Sequence, residues 1–196
     1  VPPETTTVRT RFRRPTRDDA VELARRKFLA GERVEMRVLA GELDIGRTTL
    51  YRWVGEREQL LEEVFASLVD DWFSEVLPQA EGTGRDRLID VMRRFLEFAA
   101  AFDPLSEFAE REPALTMRLL LDREGRIAER SKVAIVNLLA ENAPGLDVPE
   151  NIIDAIEMSA AALVWANIAI GRKPDIDGAV RLSETLLDAC GPSRTG

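Results

Sequence analysis

The stretch from Met36 to Leu61, MRVLAGELDIGRTTLYRWVGEREQLL, constrains the fold more than any other part of the chain. It reads as a short helix, a tight turn, a second short helix and the start of a long third one. Met36, Leu39, Ala40 and Leu43 recur at i, i+3, i+4 and i+7, and Ile45, Leu50 and Val54 can close a small core beneath that face. Helices this short are not stable alone in water. They need each other and a further helix, which is the arrangement of a helix-turn-helix whose second helix is left free to enter a DNA major groove.

The rest of the chain is helical by pattern and punctuation. Thr16 is a candidate N-cap for a first helix, with Asp18 and Asp19 in its first turn, Leu23, Ala24 and Phe28 on its packing face and Gly31 past its end. A long helix from about Arg57 to Leu77 carries Leu61, Val64, Phe65, Leu68 and Trp72 in one stripe, and Glu81-Gly82-Thr83-Gly84 reads as a loop. Further helices are predicted over 85–102, ended by Asp103-Pro104, then over 114–121, 127–141, 151–170 and 176–189. The helix over 151–170 is apolar almost all round, so it must be covered on more than one side. Its ridge of Ala155, Ser159, Ala162, Ala166 and Ala169 permits close helix approach, which points to an isologous four-helix interface between two copies, two helices from each.

Charge gives the chain an orientation. Residues 1–60 carry 13 Lys and Arg against 10 Asp and Glu, whereas residues 61–196 carry 14 against 25, within a total of −8. The basic end is attracted to a phosphate backbone and the acidic body is repelled from it. Residues 1–15 hold Arg9, Arg11, Arg13 and Arg14 against Glu4 alone, which fits either a solvated tail or a flexible basic arm that orders on DNA.

Composition also excludes chemistries. The chain has no histidine and one cysteine, Cys190, so His-based triads, typical zinc sites and an internal disulfide are out, and no metal or cofactor site is expected. Adjacent acids such as Glu62-Glu63 and Asp70-Asp71 point about 100° apart on a helix, which suits solvated faces better than a catalytic pair. The chain is therefore not expected to be an enzyme. No apolar run reaches the ~18 residues of a membrane span and no signal segment opens the sequence, so a cytoplasmic location without membrane contact is expected.

Leu39-Ala40, then Thr49-Leu50-Tyr51-Arg52-Trp53-Val54, then Gly55-Glu56-Arg57-Glu58-Gln59-Leu60-Leu61 resemble, at matching spacing, the helix-turn-helix and fourth-helix entry of the TetR family of bacterial transcriptional regulators. Two positions depart from that pattern: Asp44 stands where the family usually has Gly, and Gly46 where it has Ser or Thr. Asp tolerates a left-handed turn and Gly is a weaker but acceptable N-cap. The resemblance implies an all-α fold with a three-helix DNA-binding domain over 16–58, after an arm over 1–15. A larger helical effector-binding and dimerisation domain would cover 59–196.

It further implies a homodimer, joined through the two C-terminal helices, that reads a pseudo-palindromic double-stranded operator. By default it would be a repressor released by a small effector; an activator of the same fold, or a helical interaction protein without DNA binding, are the alternatives. On residue type and motif position, Arg47 and Thr48 face the groove floor, Arg37 reaches base or phosphate, and Thr49, Tyr51, Trp53 and Arg57 clamp phosphate. Arg52 can do either, and Tyr51 and Trp53 can alternatively be packing residues.

The family also implies an effector pocket in the body. Phe95, Phe98, Phe102, Met117, Leu121, Val136, Met158 and Trp165 are candidates to line it, with plain core packing open to each. Asn137 and Asn167 sit in apolar runs where a buried amide needs a partner, which can be ligand, backbone or a second subunit. With no basic cluster in the body, the expected effector is a largely apolar molecule with one polar end. Arg111-Glu112-Pro113-Ala114-Leu115, Arg123-Glu124-Gly125 and Gly171-Arg172-Lys173-Pro174-Asp175-Ile176-Asp177 are similar to a TetR subgroup associated with quorum-quenching lactonase operons, which implies a lactone-like effector.

Overall fold

A computed structural model describes residues 13–190, so most of the arm expected over 1–15 lies outside the described residues. Helix α1 (Arg17–Leu29) opens on a reciprocal cap: the Thr16 side chain accepts from the Asp19 amide, and the Thr16 N–H donates to the Asp19 carboxylate at 2.7 Å. Ala20, Leu23, Ala24 and Phe28 form its buried face. Helices α2 (Met36–Glu42) and α3 (Arg47–Val54) complete the head. Asp44 takes the left-handed conformation between them at φ 51°, as its side chain allows, and Gly46 caps α3 with no side-chain bond.

Helix α4 (Arg57–Val76) is the spine. Gly55 turns the chain into it at φ 70°, and the Glu56 N–H is received by the Gln59 side chain at 2.8 Å. Along α4, Leu60, Leu61, Val64, Phe65, Leu68, Val69, Trp72, Phe73 and Val76 are buried on a stripe too wide for one partner. It packs on α1 and α3 near its start and on α5 (Gly84–Ala100) and α8 (Arg126–Asn142) farther along. Its acids are not simply solvated: Glu63 pairs with Arg17 and Arg126, Asp70 with Arg130, Asp71 with Arg25, and Glu62 caps α8 through the Arg126 N–H.

Asp103-Pro104 does not lead into a loop. It starts an unexpected helix α6 (Asp103–Arg111), because proline is tolerated in the first turn, where its missing N–H has no helical partner anyway. Pro113 does the same for α7 (Pro113–Leu120). Helix α9 (Glu150–Ala169) is long and apolar enough to cross a membrane; here it packs on α8 and α10 (Ile176–Asp188).

Residues Ala162–Ala166 of α9 form a π turn. The Leu163 carbonyl there accepts from the Asn167 side-chain amide at 2.7 Å and from the Asp175 N–H at 3.0 Å. One buried apolar cluster runs from Ala20 to Val180, so head and body share a continuous core with α4 as the common wall.

Candidate functional site

The head presents one face of α2 and α3 to solvent. Leu50 and Val54 bury α3 against α1, which leaves Arg47, Thr48, Tyr51 and Arg52 on the opposite side, all exposed. Arg37, near the start of α2, is exposed as well. Among the described residues, Arg37, Arg47 and Arg52 make no ion pair, so their guanidinium groups are uncommitted. Thr49 and Trp53 are half-buried; Trp53 packs on the core and its carbonyl accepts from Arg17 Nε at 3.1 Å.

Arg57 departs from the phosphate role expected of it. Its guanidinium is bidentate to Glu112, at 2.8 and 2.7 Å, and its Nε donates to the Val34 carbonyl at 2.6 Å. The start of α4 is thereby tied to the α6–α7 junction, and three donors are consumed within the protein. The Arg57 guanidinium holds the Glu112 carboxyl below the ordinary carboxylate range.

The body holds a partly open cavity of about 380 Å³ bounded by α4, α5, α8 and α9, with the loop 121–125 lining one side. This is the small end of the range for ligand pockets. Of the residues expected from the sequence to line a pocket, it brings together Phe95, Leu121, Met158 and Trp165. Phe98 and Phe102 stand behind the wall, with ring centroids 6.3 and 5.4 Å from that of Trp72, which lines the cavity. Met117 packs against the core outside it.

Val136 and Asn137 are exposed. Ile127 and Leu138 fix the buried face of α8, and helical periodicity turns positions 136 and 137 away from it. Asn167 is half-buried, but its amide is engaged by the Leu163 carbonyl of the π turn. Neither amide reaches the cavity lining.

The cavity also carries polar groups that the sequence pattern does not single out. Asp122, Glu124, Glu129, Asp154 and Glu157 face it together with Arg123 and Lys132. Asp154 pairs with Arg123 and lies 3.3 Å from Lys132, whose ammonium also pairs with Glu150; Arg123 first and then Lys132 keep the Asp154 carboxyl below its ordinary range. Glu157, one turn on, has no partner: its Oε1 is inaccessible and unbonded. Burial, and secondarily the Asp154 charge, push it up to about 7, against a smaller opposing effect of Lys132. The signal that marks it is a carboxyl interrupting an apolar helix, as plain in the sequence as the two asparagines.

Residues 83–188, more than half of the chain, match the family model described as "Tetracyclin repressor-like, C-terminal domain". The chain belongs to the TetR family. A solved TetR-family structure, that of the transcriptional repressor QsdR from R. erythropolis, is 29% identical, with 88% of this chain and 94% of that chain covered at a TM-score of 0.80. The TetR-family repressor AlkX from Dietzia sp. strain DQ12-45-1b, implicated in biodegradation of n-alkanes, is similar in fold at 19% identity, 90% and 96% coverage and a TM-score of 0.57. Comparison with curated proteins gives no match. As a TetR-family member the chain is a ligand-responsive, DNA-binding transcriptional regulator, and regulators of this family act as dimers.

Proposed function

We propose that this TetR-family protein is a repressor whose dimer holds a pseudo-palindromic operator and releases it when a small, largely apolar effector fills the 380 Å³ cavity. The observation that carries this reading is one molecule holding both an uncommitted cationic face, Arg37, Arg47 and Arg52, and a largely apolar cavity against the helix that supports that face. In this reading Arg47 and Thr48, at the start of α3, meet base edges with Tyr51 and Arg52 beside them, and Thr49 and Trp53 make backbone contacts; the exposure of Arg47, Thr48, Tyr51 and Arg52 supports it. Arg57 is left out of the DNA set because Glu112 occupies it.

The dimer would form through α9 and α10. Ile170 at the end of α9, Met158 within it and Leu182 of α10 are exposed at 64%, 41% and 39%, a surface that a second copy would cover. The loop motifs at Arg111, Arg123 and Gly171, similar to those of a TetR subgroup associated with quorum-quenching lactonase operons, support lactones among the effectors to screen first. Such a regulator works where the chromosome is, in the bacterial cytoplasm.

The test is selection of bound duplexes from a random library, followed by release with candidate effectors. A pseudo-palindrome that lactones or similar apolar molecules release supports the reading. Binding without sequence preference, or binding that such molecules strengthen, overturns it.

A further inference from the structure

Most of the cavity wall is apolar, and among the charged groups set into it is a carboxyl with one buried oxygen that has no partner. Glu157 rises from α9 between Ile153, Ile156, Ala160 and Ala161, all of which line the cavity with it. Its Oε1 is closed off from solvent and has no hydrogen-bond partner. Such an oxygen is a standing cost to the fold, and almost all buried polar atoms are satisfied.

The nearby cations do not remove that cost. Lys132 is taken by Glu150 and Asp154, and Arg123 by Asp154. Around the cavity five acidic side chains stand against two basic ones, both already paired with carboxylates other than Glu157, so carboxyl groups are in surplus. An occupant is what can complete the site.

We propose that Glu157 is the polar anchor of the effector, accepting a hydrogen bond from an N–H or O–H at the head of an otherwise apolar molecule, and that the cavity discriminates against anionic heads. The inference rests on the reading of this cavity as the effector site. The acceptor role holds in both protonation states, since the carbonyl oxygen of a neutral carboxyl accepts as a carboxylate does. A carboxylate head meets like charge in a confined, largely apolar space, where repulsion is poorly screened. An ester or lactone head offers acceptors only, so it leaves Glu157 unsatisfied whenever that group is ionised.

Trp72 and Trp165 line the cavity, so their fluorescence reports occupancy of the full-length protein. The probes are decylamine, decanamide, decanol, γ-decalactone and decanoate, which hold the chain length constant and vary the head. Above about pH 8, where Glu157 is ionised, decylamine, decanamide and decanol are expected to bind at least about tenfold tighter than decanoate and γ-decalactone; below pH 7 the neutral carboxyl can donate to the lactone carbonyl, and the lactone should gain on them. A lead of decylamine over decanamide assigns the gain to charge; equality assigns it to the hydrogen bond alone.

In Glu157→Leu the ranking should collapse to within about twofold while the ligand-free protein melts higher, because an unpaired polar group has been removed. A ranking unchanged in Glu157→Leu, or all five probes binding equally to the wild type, overturns the inference and leaves the cavity reading intact. Failure of every probe to alter the fluorescence or the melting temperature overturns both.

Discussion

Cutting the tie between Arg57 and Glu112 should destabilise the protein measurably without touching the DNA-reading face. One guanidinium makes three bonds there, two to Glu112 and one to the Val34 carbonyl, and each side chain of the pair retains only 24% of its exposure. Fully exposed pairs are worth about 0 to 1 kcal/mol, and breaking a fully buried one costs about 3 to 5 kcal/mol. Quarter-exposed and bidentate, this pair falls between, at about 2 kcal/mol for Glu112→Ala. For a chain of this length that lowers the melting temperature by about 4 to 8 °C.

The assay is a double-mutant cycle of Arg57→Ala, Glu112→Ala and both together, by urea denaturation at one fixed protein concentration because regulators of this family act as dimers. The coupling energy should be about 1 to 2 kcal/mol at pH 7. Glu112 titrates below its ordinary value in the folded state, so the stabilisation is present above about pH 4.5 and fades as pH falls through the lowered value. A coupling within about 0.5 kcal/mol of zero at pH 7 would refute the pair as a structural tie. So would a drop in the salt dependence of operator binding in Arg57→Ala, since that would return the arginine to the phosphates.

Arg47→Ala should relax sequence preference at one operator position and cost about 1 to 3 kcal/mol of binding, whereas loss of a phosphate contact at Arg52 should weaken all sequences alike; both are read by titrating operator variants at two salt concentrations. Gly55→Ala should destabilise by more than about 1 kcal/mol in denaturant, because the residue sits at φ 70° and a Cβ would fall 2.0 Å from the Gln59 Oε1 that receives the Glu56 N–H. Glu157 binds its proton more tightly folded, at about 7, than at its ordinary 4.5, so its cost is absent below about pH 4.5, grows between the two values and is complete above pH 7. Glu157→Leu should therefore stabilise by roughly 2 kcal/mol more at pH 8 than at pH 4.5, allowing for partial solvation of the group.

The head is legible in the sequence because its determinants are local. Thr16 with Asp19, Asp44 at the turn and Gly55 before α4 are each dictated by residues within three or four positions, so spacing alone places α1 to α4. Distance is what a linear pattern lacks. Arg57 finds Glu112 across 55 positions, and only the packed fold shows that the guanidinium is engaged. The pattern misleads at Asn137 because Val133 and Val136 make the outward side of α8 look as apolar as the inward one. Asp103-Pro104 looks like a stop, although a proline that ends one helix can equally begin the next. The cavity itself is a property of how α4, α5, α8 and α9 fail to fill the space between them, and no pattern along the chain encodes a gap.

The π turn in α9 bears on how many residues that helix can hold. Its i→i+5 bonding encloses one residue more than an α turn, so the segment Ala162–Ala166 stores an insertion without rotating the remainder of the helix. Elsewhere in α9, deleting a residue would swing every later side chain by about 100° and misalign α10. Deleting exposed Ala162 should instead let the helix close into regular turns with both flanks in register, at the expense of the bonds that Asn167 and Asp175 make to the Leu163 carbonyl. The fold thus holds a residue to spare beside Trp165, where a change of chain length by one could reshape the chamber while leaving the surface offered to a second copy in place.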